Sequence, residues 1–300
     1  MRFKNFCLLM LGASVAISCN RKGGDKQRET TQIGKITIAA DESFAPIVDE
    51  EAYIFEHSND SAKVNIVYGT ENRVLRMLLN DSVRLAITSR ELTADETKIL
   101  VDRTLPPQTD RFAIDAVTLI VNNASTDTLI TLGEIKKTLS GQSQTDVNVV
   151  FDNANSSLAR YLKDFAGIKE LKGRNIYALK DNKEVIRYVA SHTNSIGITG
   201  FSWLNDPDED FADAVSKVKI VAVKDDTKKT GYFKPSQTTL ALNQYPLTRN
   251  LYVINSTGKM GLGTGFAYFI LSDRGQRIIL RSGILPDSIP TREISLKKNF

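Results

Sequence analysis

Residues 68–92 constrain the fold of this chain more than any other stretch, because they predict a polar loop, a helix, a strand and a second polar loop in succession. The helix carries apolar residues at the spacing of one buried face, namely Val74, Leu75, Leu78 and Leu79. The strand is the short apolar run 83–87, and residues 88–91 form the loop at its carboxyl end. In an open α/β sheet, small ligands bind at the carboxyl ends of the strands. We therefore expect both loops to face one crevice.

The same order of strand, polar loop and helix occurs elsewhere in the chain. Residues 35–40 predict a strand, and Ser43 lies in the loop between this strand and an apolar helical face. Thr70 has the equivalent position after the next strand. A helix N-terminus offers unpaired N–H groups and a partial positive charge, which suit an anion. Ser and Thr are also preferred helix-capping residues, and for each residue taken singly that alternative stays open. Together, the repeated loops predict a receptor for a small anion.

A second group of such elements predicts a second lobe. Residues 147–151 form an apolar strand, residues 152–157 a loop rich in hydrogen-bonding side chains, and residues 158–165 a helix. Two long apolar strands, 111–121 and 246–254, stand at the two ends of this region. We therefore predict two α/β lobes joined by a two-strand hinge. Lobe 1 comprises residues 35–115 and 247–300, and lobe 2 comprises residues 116–246.

Composition argues against several classes of function. The only cysteines are Cys7 and Cys19, near the start of the chain, and the only histidines, His57 and His192, are isolated. We therefore predict no disulfide framework, metal site or cofactor. The formal charge of +4 is too weak to predict a nucleic-acid-binding surface. A hydrolase needs a nucleophile with a base, and the chain has no G-x-S-x-G motif, so we predict no enzymatic activity.

The first part of the chain predicts export. Residues 1–18 have the basic start, short apolar run and small residues of a secretory signal peptide. The apolar run is too short to remain in a membrane as a spanning helix. The motif A-I-S-C at 16–19 resembles a bacterial lipobox, which implies a lipid on Cys19; the alternative is a free cysteine near an ordinary cleavage site. Residues 19–34 are polar and predict a flexible tether between a membrane and the first lobe.

Several motifs occur in the order and spacing of one known family. They are D-E-S-F-A-P at 41–46, Y-G-T at 68–70, the loop 83–92, L-G-E-I at 132–135, L-S-G at 139–141, S-I-G-I at 195–198, Y-P-L-T-R-N-L-Y at 245–252 and S-D-R-G-Q at 272–276. By these motifs, the chain resembles the phosphate-binding proteins of high-affinity phosphate ABC transporters from residue 36 to about residue 286. The resemblance implies an α/β, two-lobed periplasmic binding protein fold of type II, with the ligand cleft between the lobes.

The resemblance also implies phosphate ligands on both lobes. They are Ser43, Phe44, Thr70, Ser89 and Arg90 from lobe 1, and Asp152, Asn155, Ser156 and Ser157 from lobe 2. The chain departs from the family because Arg90 stands where many members have Asp, and Asp152 stands where they often have Arg. We expect Arg90 to give two parallel bonds to the oxyanion. Asp152 either accepts the O–H of hydrogen phosphate or only forms an ion pair with Arg90, and both alternatives stay open.

The resemblance finally implies a biological role. It is that of a monomeric, lipid-anchored solute-binding protein on the periplasmic side of a bacterial membrane, which captures inorganic phosphate for the permease subunits of an ABC importer. Hinge closure of the lobes around the ligand would favour the bound state. A second hypothesis is a membrane-anchored sensor or interaction lipoprotein on the same scaffold, because S-S-L at 156–158 replaces the S-G-T of the family. A receptor for a different small oxyanion is the third.

Overall fold

The computed structural model describes residues 29–143, 146–171, 173–205, 207–229 and 231–288. The predicted signal peptide, the predicted lipidation site Cys19 and residues 19–28 of the predicted tether lie outside the described residues. Within the described ranges, no helix is both long enough and apolar enough to cross a membrane.

The strands carry most of the architecture. In chain order they are β1 (Gly34–Asp41), β2 (Ala62–Gly69), β3 (Leu85–Thr88), β4 (Gln108–Asn122), β5 (Leu129–Thr131), β6 (Asn148–Phe151), β7 (Ile176–Ala178), β8 (Ser195–Gly200), β9 (Val218–Ile220), β10 (Ala222–Lys224), β11 (Thr248–Asn255) and β12 (Leu285–Pro286).

Helices follow most of these strands. In chain order they are α1 (Ala45–Ser58), α2 (Glu71–Leu79), α3 (Ala94–Asp102), α4 (Leu132–Leu139), α5 (Ser157–Ala166), α6 (Asn182–Ser191), α7 (Ser202–Asn205), α8 (Glu209–Ser216), α9 (Gln237–Ala241), α10 (Leu262–Leu271) and α11 (Asp273–Arg281). A single 3-10 turn, Glu42–Phe44, precedes α1. Thr93 and Glu96 cap α3 reciprocally, as a Thr followed three residues later by Glu predicts.

The large sheet has the strand order β2-β1-β3-β11-β4-β8-β6-β7. Strand β1 is parallel to β2 and β3, and β6 is parallel to β7 and β8, whereas β4 is antiparallel to both β11 and β8. Strands β9 and β12 also pair with β4, and β5 pairs with β10 in a separate sheet. This topology points the carboxyl ends of β1, β2 and β3 towards those of β6 and β8. The predicted ligand loops of the two halves therefore face each other.

Strand β4 connects the two halves of the molecule. Its residues 108–116 pair with β11, and its residues 117–122 pair with β8 and β9. The Val117 N–H donates to the carbonyl oxygen of Leu247 at 2.9 Å. The two segments of the chain that pass between the halves therefore lie side by side. This arrangement supplies the two strands of the predicted hinge. The lobe limits at 115/116 and 246/247 stay a prediction.

Each half buries apolar residues on both faces of its part of the sheet. In lobe 1, one face buries Ile38, Phe44 and Phe266, and the other buries Val74, Leu78 and Leu100. In lobe 2, the corresponding sets include Leu119, Leu158 and Tyr245, and Ile120, Val185 and Trp203. Burying one large apolar side chain contributes roughly 1.5–3 kcal/mol. Each half therefore has a substantial core of its own, which holds the loops at the strand ends in place.

Candidate functional site

The carboxyl end of β1 supplies the first group of the candidate site. Asp41, the last residue of β1, accepts the Ser43 N–H with Oδ1 at 2.9 Å and so fixes the turn Glu42–Phe44. The buried Ser43 hydroxyl donates across the cleft to Asp152 Oδ2 at 3.2 Å. The indole N–H of Trp203, also from lobe 2, donates to the Ser43 carbonyl oxygen at 2.8 Å. Ser43 therefore contacts lobe 2 through both its backbone and its side chain.

Asp152 follows β6 and is fully buried. Its Oδ1 accepts the Ser156 hydroxyl at 2.5 Å, and Ser156 caps α5 by accepting the Ala159 N–H at 3.0 Å. Its Oδ2 accepts from the Asn182 amide at 3.3 Å, and Thr199 orients that amide through a 2.7 Å bond. Burial raises the pKa of Asp152 to about 7, because the ionised carboxylate loses hydration. Asp152 therefore changes its charge near neutral pH.

A buried ion pair lies where the two long strands cross between the lobes. Arg249 of β11 donates from Nε and Nη2 to Asp115 Oδ2 of β4, at 3.0 and 2.9 Å. The exposed side-chain fractions are 3% and 0%, so the pair is removed from water. The Arg249 guanidinium also lies 4.5 Å from the centre of the Phe44 ring, and its Nη1 donates to the Ser157 hydroxyl at 3.3 Å. Arg249 thus contacts Asp115 at the hinge, Phe44 from lobe 1 and Ser157 from lobe 2.

The Asp115–Arg249 ion pair was not predicted from the sequence. The sequence does contain an indication of the pair. Asp115 lies inside the apolar strand R-F-A-I-D-A-V-T-L-I-V, and Arg249 begins the apolar part of the other long strand. Charged residues are almost never fully buried unless they are paired. A single acid and a single base inside two strands predicted to run side by side therefore indicate an ion pair.

A second group crosses the cleft beside the first. Glu71, the first residue of α2, accepts from Arg160 Nε of α5 at 2.6 Å and from the Ser89 hydroxyl at 2.6 Å. Arg160 Nη2 also donates to the Ser89 oxygen at 2.8 Å. Burial disfavours ionisation of Glu71, but its bonds to Arg160 and Ser89 outweigh this effect and lower the pKa. Of these residues, Ser89 was predicted from the sequence, whereas Glu71 and Arg160 were not.

Arg90 forms its ion pair with Glu96 and not with Asp152, which was one of the two alternatives left open for Asp152. Arg90 donates from Nη1 and Nη2 to the two carboxylate oxygens of Glu96, each at 2.8 Å, and its Nε lies 3.8 Å from Glu71 Oε2. The cause is local, because Glu96 caps α3 through Thr93 and stands directly opposite Arg90. The role of Arg90 as a ligand of the anion stays a prediction.

The other predicted site residues differ in exposure. Ser157, the first residue of α5, is buried, and its hydroxyl lies 3.5 Å from that of Ser43. Phe44 is buried in the lobe 1 core as well as against Arg249. Thr70 precedes α2 in an extended conformation and makes no side-chain capping bond to it. Asn155 is exposed, and its N–H donates to the Asn153 side chain.

The chemistry of the assembled site suits binding of a small oxyanion. The N-termini of α2 and α5 and the turn before α1 converge on it, and each offers backbone N–H groups. Two guanidiniums, Arg160 and Arg249, supply positive charge, and the carboxyl groups supply acceptors for O–H donors. Within the described ranges, no group of three or more His, Cys, Asp or Glu side chains is arranged to hold a metal ion.

Replacing Arg160 with methionine should lower the free energy of unfolding by about 2 kcal/mol. The change removes the cation from Glu71, whose side chain is 3% exposed, while Arg160 itself is 34% exposed and loses less hydration. Urea unfolding measures the difference. Arg84→Met is the matched control, because the Arg84–Asp81 pair is exposed on both sides and should contribute at most about 0.5 kcal/mol. Equal losses in the two variants would contradict a stabilising interlobe pair.

Comparison with known proteins places this arrangement in context. Residues 25–274 match the family model of the PBP superfamily domain. Among curated proteins, the chain is 25% identical over 299 residues to the phosphate-binding protein PstS of Borreliella burgdorferi, covering 93% of this chain and 96% of that one.

Solved structures agree in fold. One relative, provisionally identified as a phosphate ABC transporter substrate-binding protein of Clostridium perfringens with bound phosphate, has a TM-score of 0.71 at 18% identity, covering 85% of this chain and all of that one. An ABC-type phosphate transport receptor from Vibrio cholerae has a TM-score of 0.63 at 20% identity, covering 83% and 99%. The expected two-lobed α/β fold of type II periplasmic binding proteins is confirmed.

Proposed function

Because this chain belongs to the PBP superfamily, we propose that it captures inorganic phosphate in the cleft between its lobes and delivers it to an ABC importer. The observation that carries the proposal is the position of Ser157 of lobe 2, whose hydroxyl lies within hydrogen-bond distance of both Ser43 of lobe 1 and Arg249 at the hinge. The similarity to a curated phosphate-binding protein along almost the whole chain supports phosphate as the anion. Proteins of this kind bind and release; the proposed role includes no catalysis.

The proposed ligand set keeps most of the predicted residues and changes the cations. Ser43, Thr70 and Ser89 donate from lobe 1, and Ser156 and Ser157 from lobe 2, partly through backbone N–H groups. Arg249 takes the central place that the sequence analysis gave to Arg90, because Arg249 contacts Ser157 and Phe44 whereas Arg90 is bound to Glu96. Arg160 is the second cation, Phe44 forms a wall, and Asn155 lies at the rim. Asp152 is the acceptor for an O–H of the ligand.

The proposed setting is extracytoplasmic. The sequence at 1–18 supports export, and Cys19 supports a lipid anchor followed by the tether 19–34. Stable anchoring needs more than one acyl chain, which a lipidated N-terminal cysteine supplies. The protein then acts as a monomer that meets its permease while remaining at the membrane.

Titration of the purified protein with phosphate, followed by the fluorescence of Trp203, tests the proposal. Trp203 is the only tryptophan, and its indole N–H bonds to Ser43 across the cleft, so a ligand that changes the contact between the lobes changes its surroundings. We expect a saturable change with phosphate and none with sulfate, because sulfate has no O–H for a carboxylate acceptor. Calorimetry gives the stoichiometry, expected to be one.

The outcome separates the candidate functions. A response to sulfate and not to phosphate would assign the cleft to a different oxyanion. No heat and no fluorescence change with either anion would contradict phosphate capture and support a role as a sensor or interaction lipoprotein.

A further inference from the structure

We propose that phosphate, Asp41 and Asp152 together hold two protons in the complex, as H2PO4− beside two carboxylates would. Capture of phosphate therefore takes up a proton from solution at alkaline pH. This inference rests on the proposed phosphate-binding function. It follows from two buried carboxyl groups, Asp41 and Asp152, that stand in the site without a cation of their own.

Asp41 is the first of these groups. It is fully buried, and its Oδ1 accepts the Ser43 N–H. Its Oδ2 is buried as well and makes no hydrogen bond of regular geometry with the described residues, although the nearby Ser157 hydroxyl acts to lower the pKa of Asp41. A buried carboxylate oxygen without a donor is costly, and a ligand O–H is a group that would satisfy it. Burial also raises the pKa of Asp41. A hydrogen-bond donor beside this carboxyl group is therefore favourable.

Asp152 is the second group, on the opposite wall. The Ser43 hydroxyl that it accepts at 3.2 Å belongs to the same residue whose N–H is bound by Asp41. The two acids are thus joined through one residue, and the negative charge of Asp41 adds to burial in raising the pKa of Asp152. An anion that contacts Ser43 therefore meets both carboxyl groups.

The charged and titratable groups around Asp41 and Asp152 come from several elements of both lobes. They are Glu42 in the turn after β1, Glu71 at the start of α2, Asp115 on β4 and Arg249 on β11. Asp181 before α6 and Arg73 on α2 act on Glu42. The polar neighbours are Ser43, Ser156, Ser157 and Asn182. Arg249 is the cation that acts on both Asp41 and Asp152, and two of its donors are already bound to Asp115. Arg160, one turn along α5, is bound to Glu71.

The charge balance then decides which form of the ligand fits. Doubly charged HPO4 2− next to two ionised carboxylates would place four negative charges beside two fully buried side chains, and like charges at such distances strongly disfavour ionisation. Two O–H···O bonds, one to each carboxyl group, remove this repulsion. H2PO4− brings both protons itself. HPO4 2− brings one, and the other must come from Asp41, from Asp152 or from solution.

Calorimetry on the wild-type protein tests the proposal directly. Phosphate is titrated at pH 5.5, 7 and 8.5, each in two buffers with different enthalpies of ionisation, so that the difference in heat counts the protons taken up. The second ionisation of phosphate lies near neutrality. We expect release of up to one proton per phosphate at pH 5.5, because Asp152 enters the reaction protonated there, and uptake approaching one proton per phosphate at pH 8.5. The dissociation constant should rise by about tenfold per pH unit at the alkaline end, which is the slope for one linked proton.

Asp41→Asn is the matched variant, because an asparagine oxygen still accepts the Ser43 N–H while its amide offers donors in place of the unpaired Oδ2. We expect the variant to take up fewer protons at pH 8.5, to show a flatter dependence on pH and to gain measurable affinity for sulfate. Phosphate binding with no proton uptake at pH 8.5, or an affinity that rises between pH 7 and pH 8.5, would overturn the inference and leave phosphate capture standing. No phosphate binding at any of the three pH values would overturn both.

Discussion

Replacing Arg249 with alanine should abolish phosphate binding and lower the free energy of unfolding by about 3–5 kcal/mol. The stability loss arises because Asp115, which is fully buried, would lose the cation that bonds it at 2.9 and 3.0 Å. The binding loss arises because the same guanidinium reaches Ser157 and Phe44 at the centre of the cleft. Truncating one member of a buried charge pair costs about 2–5 kcal/mol in binding, so the dissociation constant should rise by at least about 30-fold.

Two further variants make this result specific. Arg249→Lys keeps the charge, but one ammonium group cannot bond Asp115 and Ser157 in the geometry of a guanidinium, so we expect a folded protein with weakened binding.

Arg90→Ala removes the cation that the sequence alone favoured. Because Arg90 is bound to Glu96, we expect its loss to weaken binding by less than about fivefold. A large loss with Arg90→Ala and none with Arg249→Lys would reverse the assignment. Calorimetry with phosphate, together with thermal unfolding, gives both quantities.

The contrast between Arg90 and Arg249 marks what the sequence could predict. Order and spacing of strands, polar loops and helices depend on periodicity and turn residues, which are local, and the crevice between Ser43, Ser89 and Ser157 followed from them. The partner of a charged side chain depends on residues far away in sequence. Arg249 and Asp115 are 134 residues apart, whereas Arg90 and Glu96 are only six apart. Arg90 lies away from the centre of the site because it pairs with the nearby Glu96. Arg249 lies at the centre because it pairs with Asp115, which is distant in sequence.

A similar argument applies to the residues that the sequence analysis missed. Glu71 looks like an ordinary acid at a helix N-terminus, where the helix dipole favours it. Arg160 looks like an exposed residue, and a single sequence does not reveal that α2 and α5 meet across the cleft. Only the topology brings them together, because it turns the carboxyl ends of β2 and β6 towards one another. Thr70 was expected either to cap its helix or to bind the ligand. Its side chain makes no capping bond, so it is available for binding.

The wild-type protein should become less stable as the pH rises from about 4 to about 7, and Asp152→Asn should lack much of this loss. An unfolded aspartate has a pKa of about 3.9, and burial raises the pKa of Asp152 to about 7 in the folded state. The folded protein therefore holds a proton that the unfolded chain has lost, and the resulting stability is complete below about pH 4. It decreases as the pH rises through 7. Each pKa unit corresponds to about 1.4 kcal/mol, so the group contributes several kcal/mol.

Asparagine is suited to this test because it resembles the protonated acid. Its oxygen can accept from Ser156, and its amide can donate to Ser43, while Asn182 can rotate its own amide to match. Urea unfolding at pH 5, 6, 7 and 8, in buffers without phosphate, should give a flatter curve for Asp152→Asn, which should exceed the wild type in stability at pH 8. Asp60→Asn, at an exposed aspartate, should leave the wild-type slope unchanged. Parallel curves for wild type and Asp152→Asn would mean that Asp152 is already ionised in the folded protein. It would then repel every oxyanion unless the ligand itself brought the proton.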